Sequence, residues 1–207
     1  MELLQAHTDG HQDAPPLPVD LAPHADNTGI TGADGLSGGA FNLWGNTYPA
    51  DELPTAGTAV VDGLPFRFPL GPPGEPDNVR CAGQLIELPP GRYDWIQLLA
   101  AAERRTEDQV LLHYADGSVD PEWLRVSDFW PETASRFGGV PAYTCTRLHY
   151  PRHVERKFGP TLWRHRVPVP RESPLAAIRL PDNPAVHVFA MTLVPARPGP
   201  RAQEVPS

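Results

Sequence analysis

The alternation of apolar and polar positions is clearest in the C-terminal third of the chain. In residues 162–169 the side chains on one face share a bulky or apolar character: Trp163, His165, Val167 and Val169. Arginines occupy the other face, and because side chains of a strand alternate between faces, this pattern predicts a half-buried strand. Residues 185–194 are apolar on both faces, which is typical of a strand covered on both sides. We therefore predict that this last strand is central in a sandwich.

Turn signals divide the rest of the chain into short strands. Asp62-Gly63, Ala82-Gly83 and Asp116-Gly117 each lie between two apolar runs and predict hairpins. Proline accounts for 27 of the 207 residues, about 13% against a usual ~5%, and a proline inside a helix costs roughly 3 kcal/mol. The pattern therefore predicts an all-β fold, an antiparallel β-sandwich or jelly roll.

The chain divides into three parts by composition. Residues 1–25 are polar and proline-bearing and predict a flexible N-terminal arm, residues 26–194 predict a single β-sandwich domain, and residues 195–207 predict a disordered tail. Within the domain, residues 127–160 read as a long irregular connection. Such connections are usually functional or mobile.

Charge and apolar content exclude several classes of partner. The formal net charge of −8 disfavours nucleic acid, because binding to phosphates needs a cationic surface. No run approaches the ~20 apolar residues of a membrane span, and the N-terminus lacks the pattern of a signal peptide. We expect a cytoplasmic protein without a membrane partner. Cys81 and Cys145 are expected as buried thiols, with a disulfide between them left open.

Several motifs together resemble bacterial domains of the galactose-binding-like type. They are Tyr48-Pro-Ala-Asp-Glu-Leu-Pro54, Gly63-Leu-Pro-Phe-Arg-Phe-Pro69, Pro76-Asp-Asn-Val79, Gly83-Gln84, His113-Tyr-Ala-Asp-Gly117 and Leu180-Pro-Asp-Asn-Pro-Ala-Val-His-Val-Phe-Ala190. The resemblance covers roughly residues 26–194. Such domains are often appended to glycoside hydrolases as carbohydrate-binding modules.

The resemblance implies two different functions. One is a carbohydrate-binding-module-like domain that binds a sugar or sugar-like small molecule, with an accessory role beside a protein partner as one form of it. The other is a small-molecule tailoring enzyme of natural-product biosynthesis, a cyclase or hydrolase, because the calcium-dependent Stig cyclases use a sandwich resembling carbohydrate-binding modules. A fold alone does not decide between them, since function depends on the site.

A structural calcium ion is the one cofactor that the resemblance implies. Related domains often hold it between an early loop and the last strand, and by position the candidates here are Asp26, Asn27 and Asp34. Their stretch is rich in Gly, Asn and Asp, which supply turns and oxygen ligands for hard cations. The alternative is a metal-free cluster of turns. No organic cofactor is expected, because the chain has neither a P-loop nor a dinucleotide fingerprint.

Candidate ligand-binding residues combine rings with amides. A sugar lies with its C–H face on an aromatic ring and needs fixed donors and acceptors for its hydroxyls. Trp44, Trp130 and Tyr143 lie in stretches that read as loops and could supply the ring. Asn42 and Asn78 could supply the amides, although Asn78 follows Asp in a Pro-Asp-Asn sequence where capping a turn is the alternative.

Candidate catalytic residues apply only if the protein is an enzyme. Asp128 precedes Phe129-Trp130, and a carboxylate packed against rings has its charged form disfavoured and can act as an acid. His149 and His153 lie in the irregular stretch and are candidates for acid–base work. A histidine or carboxylate with a structural role is the alternative in each case.

Overall fold

Short strands form almost all of the regular structure. The computed structural model of the chain describes residues 14–55, 57–130 and 138–197. The strands are, in chain order, β1 (Leu17–Val19), β2 (Ile30–Thr31), β3 (Tyr48–Pro49), β4 (Thr58–Val61), β5 (Leu64–Arg67), β6 (Val79–Arg80), β7 (Leu85–Gly91), β8 (Tyr93–Ala102), β9 (Thr106–Tyr114), β10 (Val119–Val126), β11 (Val140–Thr144), β12 (Leu148–Tyr150), β13 (His153–Glu155), β14 (Thr161–Pro168), β15 (Leu175–Arg179) and β16 (Val186–Pro195). Short 3₁₀ helices lie at Ala22–His24, Ala33–Gly38 and Ala50–Glu52. None of the described helices is long and apolar enough to cross a membrane.

Two antiparallel sheets pack face to face. The larger sheet has the order β1-β16-β8-β14-β11, with β6 also paired to β16, and the smaller has the order β10-β9-β15-β7. Antiparallel pairs β12–β13 and β4–β5 and a parallel pair β2–β3 lie outside them. The prediction of an all-β antiparallel sandwich is confirmed.

The larger sheet is buried on both faces, as the apolar pattern of its last strand predicts. Val188 and Met191 of β16 belong to the core between the two sheets, whereas Phe189 and Ala190 belong to a second core on the outer face. The register of β16 against β8 shifts between Val188 and Ala190. Such a bulge lets two consecutive side chains serve the same face, and β16 lies inside the sheet between β1 and β8.

Aromatic rings from the first half of the chain, together with Phe129, cover that outer face. The ring centroids of Phe41 and Phe129 are 4.6 Å apart, and those of Tyr48 and Phe189 are 5.5 Å apart in an edge-to-face arrangement. Phe66 and Phe68 are fully buried in the same cluster. The domain thus has three layers, with the smaller sheet on one side of the larger sheet and ordered loops on the other.

Three sequence predictions differ from the structure. The first concerns the predicted flexible arm, part of which forms a strand. Leu17 and Val19 of β1 pair with Leu193 and Met191 and extend the larger sheet. Residues 1–13 lie outside the described residues. The connection at residues 127–160 is less irregular than predicted, since it contains β11, β12 and β13.

The hairpin at Ala82-Gly83 is the third difference. Strand β6 pairs with β16 in the larger sheet, whereas β7 pairs with β15 in the smaller one, so the turn carries the chain between sheets. The Asp62-Gly63 and Asp116-Gly117 turns do join paired strands. Of the predicted tail, residue 195 ends β16, and residues 198–207 lie outside the described residues.

The loop layer is fixed to the larger sheet by a buried polar cluster around Asp77. The Asp77 carboxylate is 1% exposed and accepts hydrogen bonds from Gly29 N (3.0 Å), Ile30 N (2.8 Å) and Asn78 Nδ2 (2.7 Å). Burial raises the pKa of Asp77 to about 7, while these donors act in the opposite direction. Asn78 Oδ1 in turn accepts a hydrogen bond of 2.8 Å from Nδ1 of His187 in β16.

Replacing Asp77 with alanine is expected to destabilise the fold strongly. The change leaves three buried N–H groups without their acceptor, and each such group costs about 1–3 kcal/mol, so we expect a loss of about 3 kcal/mol or more in the free energy of unfolding. Urea denaturation measures it. The control is Asp26→Ala, which removes an exposed carboxylate bonded to Arg80 N and is expected to cost about 1 kcal/mol or less. Equal losses for the two variants would contradict the assignment.

Candidate functional site

A cleft of about 460 Å³ lies beside the C-terminal end of β8. We call it the tryptophan cleft, and it is lined by Trp44, Asn46, Arg104, Asp128, Trp130 and Tyr150. These residues come from the loop at residues 42–46, the turn between β8 and β9, the segment that follows β10, and the end of β12. The volume is within the usual range for small-molecule sites.

The loop at residues 42–46 presents Trp44 to the cleft. Asn42 Oδ1 accepts hydrogen bonds of 3.1 Å from both Trp44 N and Asn46 N, and Asn42 Nδ2 donates to Asn46 Oδ1 at 3.0 Å. Gly45 has a φ of +68°, and a Cβ there would lie 2.7 Å from Cγ of Pro151, so glycine is required. The Trp44 side chain is 55% exposed although the loop beneath it is fixed.

Backbone hydrogen bonds to β8 hold residues 127–130, which we call the 127–130 segment. Ala102 N donates to Ser127 O and Phe129 N donates to Ala102 O, both at 3.0 Å. Asp128 and Trp130 are thereby placed directly beside the end of the larger sheet.

Two side chains of β14 hold the same segment from another side. Trp163 Nε1 donates to the backbone oxygen of Asp128 at 2.8 Å, and Ser127 N donates to Nε2 of His165 at 3.3 Å. An imidazole nitrogen that accepts a hydrogen bond is unprotonated, so His165 is neutral. Burial, and to a smaller extent the positive charge of Arg164, lowers the pKa of His165 to about 4.

The Asp128 carboxylate is oriented by its own segment. It is 6% exposed, and its Oδ1 accepts a hydrogen bond of 2.9 Å from Trp130 N. The Trp130 ring packs against Phe129 at 5.6 Å and Phe158 at 5.3 Å between centroids. The cleft therefore holds a carboxylate and an indole ring in fixed positions.

One guanidinium and one phenol complete the lining. The Arg104 guanidinium carbon lies 5.4 Å from the centroid of the Trp44 ring, which is the distance of a cation–π contact. Tyr150 stacks on the exposed His153 ring with centroids 4.6 Å apart. The arrangement can bind a ring against the indoles and can contact polar groups through Arg104 and Asp128.

A comparison with models of protein families identifies the family of this chain. A model described as the AziU2-like beta-sandwich domain matches residues 12–197. The chain belongs to this family. Comparison with curated proteins gave no significant match. The family match agrees with the predicted β-sandwich, and it does not confirm the galactose-binding-like or carbohydrate-binding-module part of the resemblance.

The AziU2-like domain brings some predicted site residues together and separates others. Trp44, Trp130 and Asp128 line the tryptophan cleft. Asn42 is buried beneath it and shapes the Trp44 loop. Asn78 is fully buried in the Asp77 cluster, and Tyr143 stacks on Phe68 with centroids 5.6 Å apart, so neither lines the cleft.

The two candidate histidines have different surroundings. His149 is buried, and its Nδ1 lies 3.0 Å from Oγ1 of Thr31, with burial as the main cause of its lowered pKa. His153 is exposed and contacts Tyr150 on its ring face. Of the three catalytic candidates, Asp128 is therefore the one that lines the cleft.

Sequence reasoning missed three residues of the cleft: Asn46, Arg104 and Tyr150. Arg104 lies in a turn about sixty residues from Trp44 along the chain, and only the packing of the loop layer on the larger sheet brings them together. The signal available was the turn itself, because Arg104-Arg105 exposes charge shortly after the apolar end of β8.

The candidate calcium ligands have protein partners. Asp26 Oδ1 accepts from Arg80 N at 2.8 Å, Asn27 Nδ2 donates to Asn78 Oδ1 at 3.3 Å, and Asp34 is exposed in a 3₁₀ helix. Within residues 14–55, 57–130 and 138–197, no group of three or more His, Cys, Asp or Glu side chains is arranged to hold a metal ion. The calcium site stays a prediction.

The two cysteines are free and buried. Burial raises the pKa of the Cys81 thiol and of the Cys145 thiol to about 12. Both are therefore unreactive thiols at neutral pH.

The contact between His165 and the 127–130 segment is expected to depend on pH. The pKa of His165 is about 4 in the folded protein against about 6.5 in an unfolded chain. The stability contributed by the neutral imidazole is therefore fully present above about pH 6.5 and is lost as the pH falls towards 4, by about 1.4 kcal/mol per pH unit.

The variant His165→Gln tests this pH dependence, because its amide oxygen can accept the Ser127 N–H without titrating. Urea denaturation of both proteins at pH 7, 5.5 and 4.5 should give curves of stability against pH that diverge below pH 6.5, with the variant less sensitive to acid. Parallel curves would contradict the contact.

Proposed function

We propose that this AziU2-like domain binds a small, ring-containing molecule in the tryptophan cleft and that this molecule is an intermediate of natural-product biosynthesis. The observation that carries the proposal is the convergence of two indole rings and a phenol with one cationic and one anionic side chain around about 460 Å³. The family supports the biosynthetic setting.

The lining favours a ring-containing ligand because the flat, apolar face of an indole packs well against another ring. Trp44 is more than half exposed and Trp130 is half-buried, so both offer apolar area without the cost of ordering a loop. Aromatic side chains contribute large contact area and specific stacking geometry. A sugar ring fits such a surface, but the family match does not support carbohydrate binding, so a sugar is one member of the proposed ligand class rather than its definition.

A partner protein is also predicted for this domain. Leu43 is 89% exposed next to Trp44, but a single exposed apolar side chain does not mark an interface, so the accessory role beside a partner protein stays a prediction. The cytoplasmic location and the lack of an organic cofactor also stay predictions.

Replacing Trp44 is expected to remove most of the binding. We expect Trp44→Ala to weaken the binding of a ring-containing ligand about fivefold or more, since stacking contacts between a ring and an aromatic side chain are worth about 1–3 kcal/mol. Calorimetry against a panel of cyclic biosynthetic intermediates and sugars measures the affinity.

Trp123→Ala is the matched control for that measurement. Trp123 is 50% exposed and lies under Arg125 at 5.7 Å, which resembles the Trp44–Arg104 pair, but it lies on the smaller sheet outside the tryptophan cleft. Equal loss of binding in the two variants would contradict the site. Failure of the wild type to bind any member of the panel would contradict the function.

The position of Asp128 favours a second candidate function, that of a tailoring enzyme. Its carboxylate is nearly buried, is oriented by Trp130 N and lines the cleft. A carboxyl group fixed in this way can transfer a proton to or from a bound ligand. A cyclase or hydrolase that uses Asp128 as its acid or base is the reaction class consistent with the site.

The variant Asp128→Asn separates the two candidates. Its amide oxygen can still accept the Trp130 N–H, so the fold and ligand binding should persist, whereas turnover should fall about a hundredfold or more if Asp128 transfers a proton. Product formation from cyclic intermediates, followed by mass spectrometry, measures turnover, with the exposed Asp62→Asn as control. Unchanged turnover in Asp128→Asn would exclude this catalytic role.

A further inference from the structure

We infer that the molecule bound in the tryptophan cleft carries an anionic group, a carboxylate or a phosphate, that is bound by Arg104. The inference rests on the proposed function, because it names the chemical class of the ligand for that same cleft. It concerns a residue that the sequence patterns did not single out.

Arg104 has unused binding capacity at the mouth of the cleft. It is exposed in the turn between β8 and β9, and its Nη1 donates to Glu103 O at 3.3 Å. The ion pairs formed by the described residues do not include Arg104. A guanidinium has five N–H donors, so several remain for a ligand.

Two of the other guanidinium–ring contacts among the described residues show a different arrangement. A further contact, of Arg166 over Trp95 at 4.6 Å, resembles that of Arg104 in having no ion pair among these residues. Arg125 lies over Trp123, and its Nε is 3.0 Å from Oε2 of Glu107. Arg171 lies over Tyr114 and is ion-paired with Asp120. For Arg125 and Arg171 a carboxylate of the protein balances the charge. Of the two guanidiniums without such a partner, Arg104 is the one that lines the tryptophan cleft, where a ligand can supply the anion.

The chemistry of the guanidinium selects the class of anion. Its planar fork matches carboxylate and phosphate oxygens and binds them through two parallel hydrogen bonds. The Trp44 ring beneath Arg104 keeps one side of the guanidinium from water and offers a surface for an attached ring. A ring with an acidic substituent can therefore contact both residues at once.

Electrostatics sets the direction in which such a ligand lies. Asp128 lines the same cleft, and its ionised form disfavours an anion placed beside it. We therefore expect the acidic group of the ligand at Arg104 and its uncharged part towards Trp130. Because the protein carries a net charge of −8, general attraction of anions to its surface is disfavoured. Binding of an anion would therefore require a specific contact.

The test compares ring compounds that differ in charge. Phenylacetate and phenyl phosphate are titrated against neutral 2-phenylethanol, and the indole N–H resonances of the ¹⁵N-labelled protein report on Trp44 and Trp130. We expect both anions to bind about tenfold more tightly than the alcohol at low salt, with the advantage reduced as salt screens the charge. The ratio between the two anions identifies whether the carboxylate or the phosphate is preferred.

Arg104→Gln and its matched control assign the effect to one residue. We expect Arg104→Gln to lower the affinity of the anions to that of the alcohol, and Arg125→Gln, on the Trp123 ring, to leave it unchanged. Anion binding that survives Arg104→Gln, or that falls equally in Arg125→Gln, would overturn the inference.

The neutral probe separates failure of this inference from failure of the proposed function. If 2-phenylethanol binds at Trp44 and Trp130 as tightly as the anions, the inference on charge is wrong and the cleft remains a ring-binding site. If none of the probes moves the Trp44 and Trp130 resonances, neither the inference nor the proposed function stands.

Discussion

The burial of the larger sheet on both faces is the constraint on which the rest of the structure depends. β8 and β16 carry apolar side chains on both sides, and an uncovered apolar face of that size would remain in contact with water at a large cost in free energy. The smaller sheet covers one face. Loops from the first half of the chain, together with Phe129, Cys145 and Leu148 from the second half, cover the other with buried apolar and aromatic side chains. These loops are therefore part of the core and can hold side chains in fixed positions.

The tryptophan cleft follows from that packing. Phe129 is buried in the outer core, so the residues on either side of it, Asp128 and Trp130, come to the edge of the same layer. Bonds from Ala102, Trp163 and His165 fix this short segment. The Trp44 loop, shaped by Asn42, reaches the same edge from the N-terminal half. The site is thus built by groups that also stabilise the fold, and a ligand would meet rings and charges that are already in place.

The sequence predicted the sandwich because its signals are local. Alternation and two-sided apolar character identified β14 and β16, and Asp-Gly turns identified the paired strands around Gly63 and Gly117. It could not predict that the Gly83 turn crosses between sheets, since a turn does not reveal which strand its neighbours pair with. Asp128 was found because it precedes Phe129-Trp130 in the sequence, and Trp130 was found because its stretch reads as a loop. Arg104 was not found, because its proximity to Trp44 arises from contacts between distant parts of the chain.

The central claim is that an ordered outer layer builds one binding cleft at the edge of the larger sheet. A crystal structure of the domain with a bound ring-containing anion such as phenyl phosphate tests this most directly. The account predicts the ring between Trp44 and Trp130, the anionic group at Arg104, and little movement of the residues around them. A ligand on the outer face of the smaller sheet beside Trp123, or a cleft whose Trp44 loop and 127–130 segment rearrange to admit it, would contradict the account.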